Sequence, residues 1–465
     1  MARFSSTTLA RFLLSASGAI AALTADVEDA ASIKKAAAVV AKDLMSYYTG
    51  EIPGILPGPP PDGDYYWWTG GALWTAMLDY RSRTSDTQYD DTIKEALLFQ
   101  RSENNDYLPA NWSASAANDD QAIWGLAAML AAETGFTAPG EDDLKSWSTL
   151  AQNVFEEQSS DSRRVAKGDC KGGLRWQIYL TNNGYNYVAT SANAAFANLA
   201  ARLAVWNGDS GTSAVWVQDT FQFLEDADFI DSDFNVFDGA TVPDCDAINK
   251  VQSSYTAALL LESAAVMYNS SNSDDQDEWQ ARVDGLLQRT IDVFFPDGVA
   301  TEVSCESHAC NTDMAFFKSF LHRGLAATMK AAPHTESRIL PILKTSAKAA
   351  VSSCVNGDNG RMCGLLWSGD SNADDEVNAG SQMSVLSALL SLLPEGQVVN
   401  SSDSASGSST GSNATSSSTT ISTPTGTSSG QSTASTTPDK DNLGAHAGVS
   451  SIALLAALLL SFALN

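Results

Sequence analysis

The sequence predicts an all-α domain folded as an (α/α)6 barrel of six inner and six outer helices, and three observations predict it. Apolar residues recur at helical spacing through the globular part, and no segment alternates as a half-buried strand would. Amphipathic segments alternate six times with segments that are apolar nearly all round, which buries every second helix. Connections entering the buried helices are long and those leaving them are short, as they would be if the two sets lay on opposite ends of a closed ring. An α-solenoid also alternates helices, but its units should resemble one another at a fixed period, and these do not.

The outer set is expected near 31–48 (Ile33, Ala37, Val40, Leu44), 86–101, 141–157 (Leu144, Trp147, Leu150, Val154), 212–225, 275–294 (Trp279, Val283, Leu286, Ile291) and 336–353. Pro341 marks the first turn or a kink of the last. The inner set, rich in Ala, Gly, Leu and Ser, is expected near 69–79, 119–133, 191–205, 254–268, 312–329 and 378–393. Long connections occupy 49–68, 102–118, 158–190, 226–253, 295–311 and 354–377, and such loops in a folded domain are usually functional. All six cysteines, Cys170, Cys245, Cys305, Cys310, Cys354 and Cys363, fall in that long set. An even count makes disulfides the default, with 15 possible connectivities, and they would brace one face only.

The termini read as processing signals. Residues 1–25 carry Arg3, Arg11, an apolar run and small residues at Ala21, Ala22 and Ala25, the pattern of a cleaved secretory signal. Residues 26–395 form the folded domain, and 396–441 are a stalk rich in Ser and Thr that cannot bury enough to fold. Residues 442–465 combine small residues with an apolar tail that lacks a basic flank and is short for a membrane span of about 20 residues. That fits attachment of a glycosylphosphatidylinositol (GPI) anchor near Asn442 or Gly444, with a tail anchor or single span as the alternative. Sequons at Asn111, Asn269, Asn400 and Asn413 suit the same secretory route, the first two in expected loops.

A formal charge of −28 repels phosphates, so nucleic acid and anionic lipid are excluded as partners. His308, His322, His334 and His446 form no metal-ligand spacing and read as structural, surface or tail residues. Two acidic loops, Asp231-Ser232-Asp233-Phe234-Asn235 and Asp370-Ser371-Asn372-Ala373-Asp374, place oxygens at alternate positions as calcium loops do. Neither continues as an EF-hand: Val236 and Asp375 stand where Gly is needed, and Val242 and Ser381 where Glu is needed. No metal and no cofactor is expected.

The chemistry is expected at Asp119 and Asp120, which open an inner helix in the run Asn118-Asp119-Asp120-Gln121-Ala122-Ile123-Trp124. Retaining cleavage of a glycosidic bond needs one carboxylate as nucleophile and one carboxylic acid, roughly 5 Å apart. The plain alternative is a helix start, with Asn118 as cap, Gln121 closing a capping box and the acids complementing the helix dipole. Aromatic residues gather on the same face: Tyr65-Tyr66-Trp67-Trp68, Trp112, Trp176, Tyr185, Tyr187 and Trp367, suited to the apolar faces of sugars or to wall packing.

The Asp-Asp pair, the run Tyr66-Trp67-Trp68-Thr69-Gly70 and the Ser/Thr-rich stalk with its lipid-anchor tail together resemble the fungal branch of glycoside hydrolase family 76 over about residues 28–395. The resemblance implies a GPI-anchored endo-1,6-α-mannosidase of the cell wall with an (α/α)6 barrel. It also implies a retaining mechanism with Asp119 as nucleophile and Asp120 as acid/base. For the fungal branch it implies transfer of GPI-anchored proteins from a mannose-containing GPI-core glycan to cell-wall glucan. By position at the mouth, Trp67, Trp68, Asn118, Gln121, Trp124, Asn193 and Asp246 are candidate sugar contacts, or else caps and wall residues. A hydrolytic α-1,6-mannanase and a non-catalytic mannan-binding wall protein are the alternatives.

Overall fold

Segments too apolar to show water any side end up enclosed by those that can. The computed structural model describes residues 22–58, 63–208, 211–368 and 377–396. Most of the expected signal, the stalk, Asn400, Asn413, Asn442 and the loop Asp370–Asp374 lie outside the described residues. Twelve α-helices occur among them: α1 (Ala30–Met45), α2 (Trp68–Thr84), α3 (Asp90–Phe99), α4 (Asn118–Glu133), α5 (Trp147–Ser159), α6 (Thr190–Asn207), α7 (Thr212–Asp226), α8 (Ser254–Ser270), α9 (Ser273–Phe294), α10 (Phe317–Ala331), α11 (Glu336–Ser352) and α12 (Ala379–Leu390). The even-numbered helices pack in a ring, each against the next, and α12 closes on α2. Around them α3 lies on α2 and α4, α5 on α4 and α6, α7 on α6, α9 on α8, and α11 on α10 and α12. The first helix, α1, covers the seam where α12 meets α2. The predicted (α/α)6 barrel is what forms.

Small residues set the helix spacing. A Cβ on Gly70 would lie 2.3 Å from the Gly54 carbonyl oxygen and 2.9 Å from the Trp124 ring, and one on Gly324 would meet Ala258 at 3.0 Å. Glycine therefore brings α2 against α4, and α10 against α8, at distances a side chain would forbid.

Several boundaries differ from the sequence reading. The fifth helix starts at Trp147, not 141, because the Ser146 hydroxyl accepts the Ser148 N–H at 3.2 Å and caps it there. The Pro139-Gly140 stretch ahead of it is irregular, with Gly140 at φ 78°. Pro341 sits in the second turn of α11, where it removes one helical donor. Two short antiparallel strand pairs also form: β1 (Tyr187–Ala189) with β2 (Gly239–Thr241), across α6 and α7, and β3 (Cys354–Asn356) with β4 (Met362–Cys363). Both lie within loops entering inner helices, and segments of two or three residues are too short to show alternation.

The disulfides are Cys170–Cys245, Cys305–Cys310 and Cys354–Cys363. The first ties the loop entering α6 to the loop entering α8, alongside the β1–β2 pairing. All three lie on the face where the inner helices begin.

The opposite end is not apolar. Arg83 pairs with Asp79 at 2.6 Å and Glu395 at 3.3 Å, Arg202 pairs with Glu133 at 2.5 Å, and Arg323 approaches Asp79 at 3.8 Å. Glu262 stands between Arg202 and Arg323; burial raises its pKa and the two guanidinium groups oppose that rise. Together with Asn198 they line an enclosed cavity of about 20 Å³, room for one water. Among inner helices that are mostly apolar nearly all round, these long charged side chains are admitted because each meets an opposite charge.

Candidate active site

The pair's setting begins with a short backbone contact. Ala117 forms an isolated antiparallel bridge with Gln177, which holds it extended and makes it, not Asn118, the residue before the first turn of α4. The expected box of Asn118 and Gln121 is thus displaced by one residue, and Asp120 Oδ2 accepts the Ala117 N–H at 3.1 Å. Asn118 is buried and bridges loops: its Nδ2 donates to the Arg175 carbonyl at 2.8 Å, and its Oδ1 accepts from Arg163 Nη1 at 2.8 Å. Gln158 donates to the Asn118 carbonyl at 2.8 Å and to Gln121 Oε1 at 3.2 Å, while Gln121 donates to the Asp106 carbonyl at 2.8 Å. This network fastens the loops entering α4 and α6 to the first turn of α4.

On that turn Asp119 and Asp120 are half-buried and face different surroundings. Asp119 Oδ2 accepts the Ser191 hydroxyl at 2.6 Å, its Oδ1 accepts the Asp120 N–H at 3.1 Å, and the Trp176 indole also donates to it. Burial raises the Asp119 pKa to about 6, and these donors, which favour the ionised form, hold it from rising further. Asp120 is pushed well above the aspartate range, first by burial and then by the charge of Asp119, with Asp313 adding to the push and only the Ala117 N–H opposing it. Adjacent residues of one turn therefore have split environments, one suited to a carboxylate and the other to a carboxylic acid. The N-terminal end of α4 further favours the ionised partner.

The other candidate contacts are placed variously. Trp67 is buried, donates to Gln100 Oε1 at 2.9 Å and stacks on Trp124 at 5.4 Å; Trp124 donates to the Trp67 carbonyl at 3.3 Å. Asn193 is buried and bonds both the N–H and the carbonyl of Leu174, at 3.0 Å each. The expectation that Asn118, Gln121, Trp124 and Asn193 touch sugar is corrected: each is fully enclosed and spends its polar atoms on the protein. Trp68 is nearly buried, with its indole on Asp313 Oδ1 at 3.0 Å, and Asp246 is exposed beside Cys245. Asn111 is exposed in a 3-10 turn, while Asn269 is exposed in the last turn of α8, not in a loop. In the first acidic loop the Asp231 carboxylate accepts the N–H groups of Asp233 and Asn235 at 3.0 and 2.9 Å, which closes the turn on itself.

Three residues of the mouth are absent from the sequence-based set: Ser191, Asp313 and Tyr255, whose hydroxyl lies in the field of both Asp119 and Asp120. All stand near the start of an inner helix, as Asp119 does, and that shared position was the available signal. Next to the pair, Trp176 forms one wall of a cleft of about 520 Å³ with Asn183, Tyr185, Tyr187, Asp238 and Asn249. Tyr187 donates to Asp238 at 2.6 Å and Asn249 to the same carboxylate at 2.9 Å. Aromatic rings edged by amides and a carboxylate suit a neutral ligand with many hydroxyls.

The description "Glycosyl hydrolase family 76" belongs to the family model that matches residues 32–403. Among curated proteins, the chain is 39% identical over 372 residues to mannan endo-1,6-alpha-mannosidase DCW1 of Candida glabrata, covering 79% of this chain and 81% of that one. It is 38% identical over 373 residues to the DCW1 protein of Saccharomyces cerevisiae, with the same coverage of 79% and 81%. Among solved structures, Dfg5 from Chaetomium thermophilum in complex with glucosamine is 44% identical, with a TM-score of 0.77 over 81% of this chain and 94% of that one. The α-1,6-mannanase GH76A of Salegentibacter shares the fold at 16% identity, with a TM-score of 0.61 over 77% of this chain and 98% of its own.

Proposed function

Because the chain belongs to glycosyl hydrolase family 76, we propose that Asp119 and Asp120 carry out retaining cleavage of α-mannosides at the barrel mouth. The protein is a glycoside hydrolase of the endo-1,6-α-mannosidase type. Asp119, ionised by its donors, attacks the anomeric carbon of a mannose residue. Asp120 gives its proton to the departing glycosidic oxygen, so that bond breaks as the mannosyl-Asp119 ester forms. Asp120, now a carboxylate, takes the proton of the incoming hydroxyl, whose oxygen displaces Asp119 and restores both groups. Water as the incoming group gives hydrolysis; a sugar hydroxyl gives transfer.

The observation that carries this reading is the split environment of the pair, since a binding module has no use for one ionised and one protonated acid on a single turn. We read the natural reaction as transfer, from the mannose-containing glycan of a GPI anchor to cell-wall glucan. The cleft beside Trp176 gives room for a chain longer than one sugar. The apolar ends and the Ser/Thr-rich stretch support a GPI-tethered location at the cell surface, where donor and acceptor meet. Trp68 and Asp246 remain candidate sugar contacts.

Mass spectrometry of products tests this, after incubation with a mannosyl-glucosamine glycan and a glucan oligosaccharide. A mannose-to-glucan adduct made by the wild type and lost in Asp119→Asn and Asp120→Asn supports transfer through the pair. Released mannosides without an adduct assign a hydrolase, and an untouched donor in a folded sample refutes the catalytic reading.

A further inference from the structure

A third carboxyl reaches the mouth. Asp313 precedes the 3-10 turn Met314–Phe316 that leads into α10, and its Oδ1 accepts the Trp68 indole N–H at 3.0 Å. The Trp68 ring is boxed in by Phe316 at 5.6 Å and by Tyr255 and Phe320 at 6.3 Å, so the bond holds Asp313 in one place. Tyr255 packs in turn on Phe317 at 5.3 Å and Phe320 at 4.8 Å. Its hydroxyl lies in the field of the Asp pair, and Asp120 lies in the field of Asp313. Inner helices α2, α4, α8 and α10 thus converge on a cluster in which three of the four titratable groups are carboxyls. These are Asp119 and Asp120 on α4, Tyr255 on α8 and Asp313 ahead of α10; α2 and α6 bring Trp68 and Ser191, which do not ionise.

We propose, resting on the reading that Asp120 is the proton donor, that Asp313 is the positioning residue for that donor: its negative charge keeps the proton on Asp120 while Asp119 is ionised. Burial works against the Asp313 charge, and the Trp68 N–H sustains it. Trp68 therefore acts as more than wall. It fixes where the repelling charge stands and keeps that charge available. The donors on Asp119 already favour its ionised form, and the Asp313 charge felt at Asp120 adds to the split by opposing loss of the donor's proton.

The test is the pH dependence of kcat/KM on α-1,6-linked mannotetraose for wild type, Asp120→Asn, Asp313→Asn and Trp68→Phe. Asparagine at 313 keeps an amide oxygen for the Trp68 N–H and removes the charge. The basic limb, which reports loss of the donor's proton, should move toward acid by roughly half to one pH unit in Asp313→Asn. Trp68→Phe, which weakens the Asp313 charge from the other side, should move it the same way and serves if Asp313→Asn does not fold. A limb that stays in place while overall activity falls makes Asp313 merely structural and overturns the inference, leaving Asp120 as donor. A wild-type basic limb that persists in Asp120→Asn overturns the assignment of the donor, and this inference with it.

Discussion

At the scale of single residues, the pair's chemistry and its effect on stability have opposite signs. Asp119 and Asp120 both hold protons to higher pH in the folded chain than the ordinary aspartate value of 3.8. Between that value and their folded pKa values the native state binds more protons than the unfolded one, so stability falls as pH rises through the window. Asp120→Asn cannot ionise, keeps an oxygen for the Ala117 N–H, and should melt at least about 2 °C above wild type at pH 7 while losing activity. Calorimetry at pH 4 and pH 7 checks this: the gain should shrink at pH 4, and an equal gain at both would show that charge is not its source. On their own stretch the two acids read as a helix start, and it was their place at the expected barrel mouth among aromatic residues that made them candidates for catalysis. The unlike surroundings of the two were not legible, because they depend on Ser191, Trp176 and Asp313, which other helices and loops supply.

At the scale of elements, the first turn of α4 depends on Asn118 more than on any cap. Its side chain satisfies the Arg175 carbonyl and Arg163, and its carbonyl holds Gln158. Asn118→Ala strips two of those partners and should cost roughly 1–3 kcal/mol. Urea unfolding gives that number, and limited proteolysis should find faster cleavage within 158–189, the loop Asn118 secures. An unchanged cleavage rate would mean the loop is held by Cys170–Cys245 and the β1–β2 pairing alone. Sequence suggested Asn118 as a cap because Asn often is one; the bridge from Ala117 to Gln177, 60 residues apart in register, shifted the helix start, and no local pattern announces such a contact. The twelve helices were readable because their periodicity runs over several turns, and the strand pairs were not because two or three residues show no alternation.

At the scale of the whole molecule, the barrel has two unlike ends. One carries the long loops, the disulfides and the carboxyls; the other is closed by charges from α2, α4, α6, α8 and α10 and from Glu395. Arg202→Met leaves Glu133 without its partner and Glu262 with Arg323 alone, and should cost roughly 3–5 kcal/mol. Because that loss is remote from the mouth, kcat of the enzyme that remains folded should be unchanged, and thermal melting beside steady-state rates separates the two effects. No local pattern in the sequence pairs Arg202 with Glu133 or Glu262, because only ring closure brings them together. That closure also governs how the protein can change over generations. A substitution at Arg202 alters the cost of one at Glu133 or Glu262, and a substitution at Arg83 does the same for Asp79 and Glu395. These positions should drift through descent in compensating sets, so that a relative lacking the arginine also lacks an acid opposite it, while the surface of the outer helices varies one residue at a time.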